Sequence, residues 1–153
     1  MTATATKILG IDPGGKGGDT GIVLIGVSDT APATLLDSWA VTGGLGGFRE
    51  WYRRECPAVD NVVVEQFVHF KDIHIETTPI LIEGAVRFIW PRAILSPASG
   101  KDQAVPDRVL KQLGLYQPGD HHRDRTEAAR HVVRWLKNLP HLPTLRAGWG
   151  PPS

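Results

Sequence analysis

Two apolar runs, Ile8 to Ile11 and Gly21 to Val27, flank a turn that carries one carboxylate, Asp12, followed by Pro13 and five glycines within nine residues. Apolar runs this short, bounded by turn residues, predict two buried strands joined by a hairpin-like connection. Asp12 falls where the first strand leaves the core. An acid at that point has two uses. It can bond its own backbone ahead of Pro13 and Gly14, or it can ligate a metal ion on a central strand while the glycines keep side chains clear of a bulky polyanion.

Two glycine-rich stretches imitate nucleotide sites. Gly10 to Lys16 approaches a phosphate-cradling P-loop, but Gly17 stands where that loop needs Ser or Thr. The next segment reads as a strand rather than the helix whose N-terminus would face phosphate. Gly43 to Gly47, GGLGG, lacks the βαβ context of a dinucleotide fingerprint and reads as a flexible loop.

At 153 residues the chain fits one domain with a real core. The expected division is a folded domain over 1–143 and a Gly- and Pro-rich flexible tail over 144–153. The lone Cys56 excludes an internal disulfide. No signal-peptide pattern opens the sequence and no apolar run nears the ~20 residues of a membrane span. A cytoplasmic protein with no membrane partner is the expectation. The net charge of +1 hides an asymmetry: residues 1–86 hold 6 Lys/Arg against 11 Asp/Glu, and residues 87–153 hold 11 against 5. An acidic half joined to a basic half suits a polyanionic substrate, although an ordinary solvated surface accounts for the same charges.

Further along, Ala33 to Val41 predicts a third strand at an edge, and Leu45 to Cys56 a short amphipathic helix with Phe48, Trp51 and Tyr52 at helical spacing. Asn61 to Glu65, NVVVE, is a β-branched run of the kind buried in parallel sheets, and it too ends in an acid. Ile75 to Trp90 predicts a helix with Ile80, Leu81, Gly84, Ala85 and Phe88 as its recurring stripe, Ala93 to Ser96 a short strand, and Pro106 to Leu113 a short helix stopped by Gly114. Thr126 to Leu139 is the clearest helix, with Ala128, Val132, Val133, Leu136 and Leu139 on one face and arginines elsewhere. The order implies an α/β fold: a mixed sheet in which an antiparallel hairpin unit is followed by parallel crossovers, flanked by helices.

If the strands ending in Asp12 and Glu65 are neighbours, two carboxylates stand side by side and must bind a cation or share a proton. Asp124 and Glu127, three residues apart at the start of the last helix, lie on neighbouring surface of one turn. Packed across those strand ends, they bring the number of carboxylates to four, an oxygen set suited to Mg²⁺ or Mn²⁺ rather than Zn²⁺. A simpler account makes Asp124 an N-cap with Glu127 as its capping-box partner and Glu65 a strand-end acid paired with an arginine.

These motifs resemble those of RuvC-type Holliday junction resolvases of the RNase H/retroviral-integrase superfamily, the small bacteriophage forms above all. The resemblance runs from about Ile8 to Leu136 and rests on GIDPG with Thr20-Gly21, on VVVEQF at Val62 to Phe67, and on DRTEAARH at Asp124 to His131. It implies an RNase H-like five-stranded mixed sheet. Carried over by position, it makes Asp12, Glu65, Asp124 and Glu127 the catalytic, metal-binding acids. The last acid departs from the family's usual Asp, and His121 with Asp124 is an alternative register for the final pair. Lys101, in the block SPASGKDQAVPDRVLKQLGLY, matches a lysine that approaches the substrate, and Phe67 and Phe70 become candidates to stack on unpaired bases at a branch point.

The implied activity is a structure-selective DNA endonuclease that cuts Holliday junctions and other branched DNA. Two Mg²⁺ ions roughly 4 Å apart, replaceable by Mn²⁺, would serve phosphodiester hydrolysis that leaves 5′-phosphate and 3′-hydroxyl ends. A homodimer is implied by the need for paired cuts related by a twofold axis. The alternatives are an RNase H-like nuclease acting on RNA–DNA hybrids or packaging DNA, and a nucleic-acid-binding relative without catalysis.

Overall fold

A computed structural model describes residues 5–14, 18–67, 77–119 and 123–151. The predicted strands form β1 (Thr6–Asp12), β2 (Thr20–Val27), β3 (Thr34–Val41), β4 (Asn61–Gln66) and β5 (Ile94–Pro97). They make one mixed sheet in the order β3-β2-β1-β4-β5, antiparallel across β3-β2-β1 and parallel across β1-β4-β5. The helices are α1 (Gly44–Arg54), α2 (Thr78–Ile89), α3 (Lys101–Ala104), α4 (Asp107–Leu113), α5 (Arg123–Asn138) and α6 (Leu142–Trp149).

The two-residue period of a strand sorts the core into two layers. Leu9, Ile11, Ile22, Leu24, Val62 and Val64 face α1 and α2, where Phe48, Trp51, Ile82 and Val86 cover them. Ile8, Val23, Ile25 and Val63 face the other way, under Val109 and Leu110 of α4 and Ala128, Val132, Val133 and Leu136 of α5. Asp12 and Glu65 continue the parity of Ile8 and Val63, so both belong to the face that α5 covers. Helix α5 can lie close to the sheet because glycine stands beneath it. A Cβ on Gly10 would sit 2.6 Å from Val132 Cγ2 and 2.8 Å from the Ala128 carbonyl oxygen, and one on Gly21 only 2.1 Å from the Asp124 carbonyl oxygen.

Gly21→Ala should therefore lower stability by about 1–3 kcal/mol, an overpacking cost that pushes the start of α5 outward. Gly84→Ala on α2, where a Cβ meets nothing within 4 Å, should be neutral or stabilising by up to about 1 kcal/mol. Thermal melts of the pair check both signs.

Four expectations need correction. The stripe Leu81, Gly84, Phe88 of α2 points outward, with Phe88 88% exposed, while Pro79, Ile82, Glu83 and Val86 face the core. This helix is apolar on both sides, so recurrence alone could not choose between them. Leu139 lies beyond the end of α5 and is exposed, whereas Arg130 on that helix is buried. Gly44 to Gly47 form the first turn of α1 instead of a loop.

Lastly, residues 144–149, expected to belong to a flexible tail, continue helix α6, with Pro143 in its first turn. Its Thr144 is buried and its hydroxyl accepts the Ala33 N–H at 3.0 Å. His141 caps it and reaches the Ser28 carbonyl at 2.8 Å, while Gln112 donates to the Ala147 and Gly150 carbonyls. Glycine and proline counts carry no information about such anchoring contacts.

Candidate functional site

One row of residues crosses the sheet where the parallel strands end. Asp12 of β1 pairs in register with Gly21 of β2, and Glu65 of β4 with Ser96 of β5. The parallel β1–β4 register reaches Ile11 opposite Val64, one residue short of setting Asp12 beside Glu65. The row thus reads Gly21, Asp12, Glu65, Ser96, with no side chain at the position over which α5 begins. Thr126 fastens that first turn, its hydroxyl exchanging hydrogen bonds with the Gln117 N–H and carbonyl at 3.0 and 3.2 Å.

Asp12 and Glu65 share a hydrogen bond. Burial, then the hydrogen bond and repulsion from Glu65 and a further push from Asp124, hold the Asp12 carboxyl well above its ordinary range despite the attraction of Lys101. Burial pushes Glu65 the same way, but hydrogen bonds from His131 and Asp12, together with the positive charge of Lys101, outweigh it and bring its pKa down to about 2. Of the two, Asp12 therefore holds its proton more tightly and Glu65 ionises first.

Lys101, the first residue of α3, sends its ammonium among the acids. Its Nζ lies 3.0 Å from Glu127 Oε2 and 3.8 Å from Glu65 Oε2. Burial works against that charge, yet the Glu127 hydrogen bond and the fields of Glu65, Glu127 and Asp12 raise the Lys101 pKa above its ordinary value. Glu127 is held from its other side by the buried Arg130, at 3.3 Å through Nε and 3.4 Å through Nη2. Arg130 is itself anchored on the Val105 carbonyl and the Asp107 carboxylate. Among the described residues no three His, Cys, Asp or Glu side chains stand close enough to hold a metal ion as they are. The cation at the centre is Lys101.

Sequence reasoning passed over the partner on the far side of Glu65. His131 is fully buried on α5; its Nε2 lies 3.0 Å from Glu65 Oε2, and its Nδ1 lies 2.6 Å from the hydroxyl of buried Ser96. One signal was available: His131 lies four residues beyond Glu127 and so shares its helix face. Serine, histidine and glutamate in a line resemble a hydrolase triad, but the chemistry differs. A nucleophilic serine is exposed and bonded to Nε2, whereas Ser96 is interior and bonded to Nδ1. Ser96 is thus no nucleophile.

The other predicted residues are not all drawn into this cluster. Asp124 lies inside the first turn of α5, near enough for its charge to act on Asp12, and so is not that helix's N-cap. Phe67 comes directly after β4 and is 37% exposed; its N–H donates at 2.9 Å to Glu83, a carboxylate buried on α2 that was also missed. Phe70 and His121 lie outside the described residues.

No family profile and no curated protein matches the sequence. The fold does have counterparts. The structure of RuvC from Thermus thermophilus in complex with a Holliday junction substrate superposes with a TM-score of 0.60 over 89% of this chain and 98% of that one, at 17% identity. The chain has the RuvC fold. A second Thermus thermophilus RuvC structure matches with a TM-score of 0.57, 18% identity and coverage of 87% and 96%. The mixed five-stranded sheet flanked by helices is therefore the RuvC architecture, with β1 and β4 carrying the Asp12–Glu65 pair at their adjacent ends.

Proposed function

We propose that this protein is a metal-dependent endonuclease that cuts Holliday junctions and other branched DNA. The observation that carries this is the Asp12–Glu65 couple at adjacent strand ends, with Glu127 drawn to the same ammonium as Glu65 and Asp124 within electrostatic reach. A buried acid cluster that raises the pKa of one member and draws in a lysine has the field and hard oxygen donors that suit Mg²⁺ or Mn²⁺. Asp12, Glu65, Asp124 and Glu127 would hold the ions, with Lys101 giving up its place between Glu65 and Glu127. When bound, a pair of divalent ions supplies an activated water and charge stabilisation for the leaving 3′ oxygen.

This chain's own residues then fix positions. The glycines under α5 set its distance from the sheet, Arg130 orients Glu127, and Glu83 holds the backbone at Phe67, whose exposed ring would stack on an unpaired base. Lys101, released from the acids, would meet a phosphate together with arginines of the basic C-terminal half. The RuvC neighbour solved with a Holliday junction favours branched DNA over RNA–DNA hybrids or packaging DNA. A homodimer suits such a substrate, because two like strands must be cut in concert. A cytoplasmic location belongs to the same proposal.

Incubation with four-way junction, flap, linear duplex and RNA–DNA hybrid in Mg²⁺ tests the assignment. The junction should be cut into two nicked duplexes bearing 5′-phosphates, and added salt should weaken junction binding steeply through counterion release. Preference for the hybrid would transfer the site to ribonuclease chemistry. Binding without cutting in Mg²⁺ or Mn²⁺ would leave a nucleic-acid-binding protein.

A further inference from the structure

We infer that Ser96 and His131 form a positioning relay that fixes the Glu65 carboxylate for metal binding, an inference that rests on the metal reading of the acid cluster. Three elements converge in it. Glu65 and Ser96 are register partners on β4 and β5, and His131 enters from α5 to span the gap between their side chains.

A carboxylate only accepts hydrogen bonds, so the His131 Nε2–H must point at Glu65 Oε2. In the neutral ring Nδ1 is then an acceptor, and the Ser96 hydroxyl, 2.6 Å away, donates to it. The chain of donors runs one way, from Ser96 to His131 to Glu65. It fixes both the tautomer and the plane of a ring with no solvent contact. That ring engages Oε2, the same oxygen that faces Lys101 at 3.8 Å. The Glu65 carboxylate is thus locked in rotation by a bond to one lone pair of Oε2, which leaves that oxygen's second lone pair toward the cation, the task that outer hydrogen-bond partners perform at metal sites. A purely structural role does not require this direction or the serine: an apolar side chain would fill the space between α5 and β5 and leave nothing buried to satisfy.

The test is Mn²⁺ binding to the full chain without DNA, read from loss of the free-ion electron paramagnetic resonance signal, with thermal melts alongside. His131→Leu should weaken Mn²⁺ binding about 10- to 100-fold. Ser96→Ala, which removes one buried oxygen and leaves the ring in place, should weaken it several-fold. His131→Gln, which keeps an N–H donor, should recover part of the loss. Ser96→Ala also guards against a His131 variant that does not fold.

Mn²⁺ affinities equal to wild type in Ser96→Ala and in folded His131→Leu, whatever their melting temperatures, would overturn the relay. An Asp12→Asn control separates the two levels of the claim. If wild type binds no Mn²⁺, or binds it as well after Asp12→Asn, the metal reading fails and takes the relay with it. If Asp12→Asn abolishes binding while the Ser96 and His131 variants do not alter it, only the relay is wrong.

Discussion

Glu65→Gln should yield a folded protein that still binds four-way junctions but cuts them at least roughly two to three orders of magnitude more slowly, a loss comparable to removing a key electrostatic group from an active site. The substitution keeps the shape and leaves an amide oxygen able to accept the His131 Nε2–H, now 3.0 Å from Glu65 Oε2. What it deletes is the charge that pairs with Lys101 at 3.8 Å and that the metal reading assigns to an ion. That ion pair is mostly buried, so its loss lowers stability, but the change also relieves Asp12 of a repelling neighbour, and the net should be a shift of a few degrees in melting temperature. Junction affinity should hold or rise slightly, because one charge opposing the phosphates has gone. Were Glu65 only a structural partner of Lys101 and His131, melting would fall and the folded fraction would cut normally. Cleavage rate, junction affinity and melting temperature of this one variant separate the two cases.

Asp12→Asn should abolish cleavage and at the same time raise the melting temperature of the metal-free protein at neutral pH. The sign comes from linkage. The folded pKa of Asp12 lies well above its ordinary value of 3.8. Its contribution is most favourable below that unfolded value and is lost as pH rises through the folded one, so at neutral pH Asp12 costs the fold stability whether it keeps its proton or ionises beside Glu65. Asparagine never ionises, and its amide N–H can donate to Glu65 in place of the shared proton. The variant's advantage should grow with pH and vanish in acid. Glu65 behaves oppositely: with its folded pKa brought from 4.5 down to about 2, the stability it contributes is present above 4.5 and disappears as pH falls toward 2. Saturating Mg²⁺ should reverse the order of the two proteins, since only wild type gains from binding. If Asp12→Asn melts below wild type in EDTA at neutral pH, the description of the acid pair as strained is wrong.

The strands and the mixed character of the sheet were legible because strand parity and turn residues act locally. NVVVE announced a buried parallel strand, and the same parity that buried Val63 placed Glu65 under α5. The pairing of Asp12 with Glu65 was also foreseeable, since both acids close apolar runs. What the chain's local pattern did not display is how a long side chain resolves a concentration of charge. Lys101 looked like a surface residue awaiting DNA, yet the summed field of Glu65, Glu127 and Asp12 draws it inward. Arg130 looked like part of the polar face of α5 but is buried beneath Glu127. His131 and Ser96 are 35 residues apart, and only the β4–β5 register and the closeness of α5 bring them into line. Helix α6 was hidden for a similar reason: its glycines and prolines suggested a loose tail, while its anchors, Ala33, Ser28 and Gln112, lie far away in sequence.

The most direct test is a crystal of the wild-type protein soaked in Mn²⁺ and measured at the manganese absorption edge. The expected result is anomalous density bound by Asp12 and Glu65, with Asp124 or Glu127 completing the ligands and the Lys101 ammonium withdrawn from Glu65. Density absent from the cluster, with Lys101 still bridging Glu65 and Glu127 at millimolar Mn²⁺, would contradict the account.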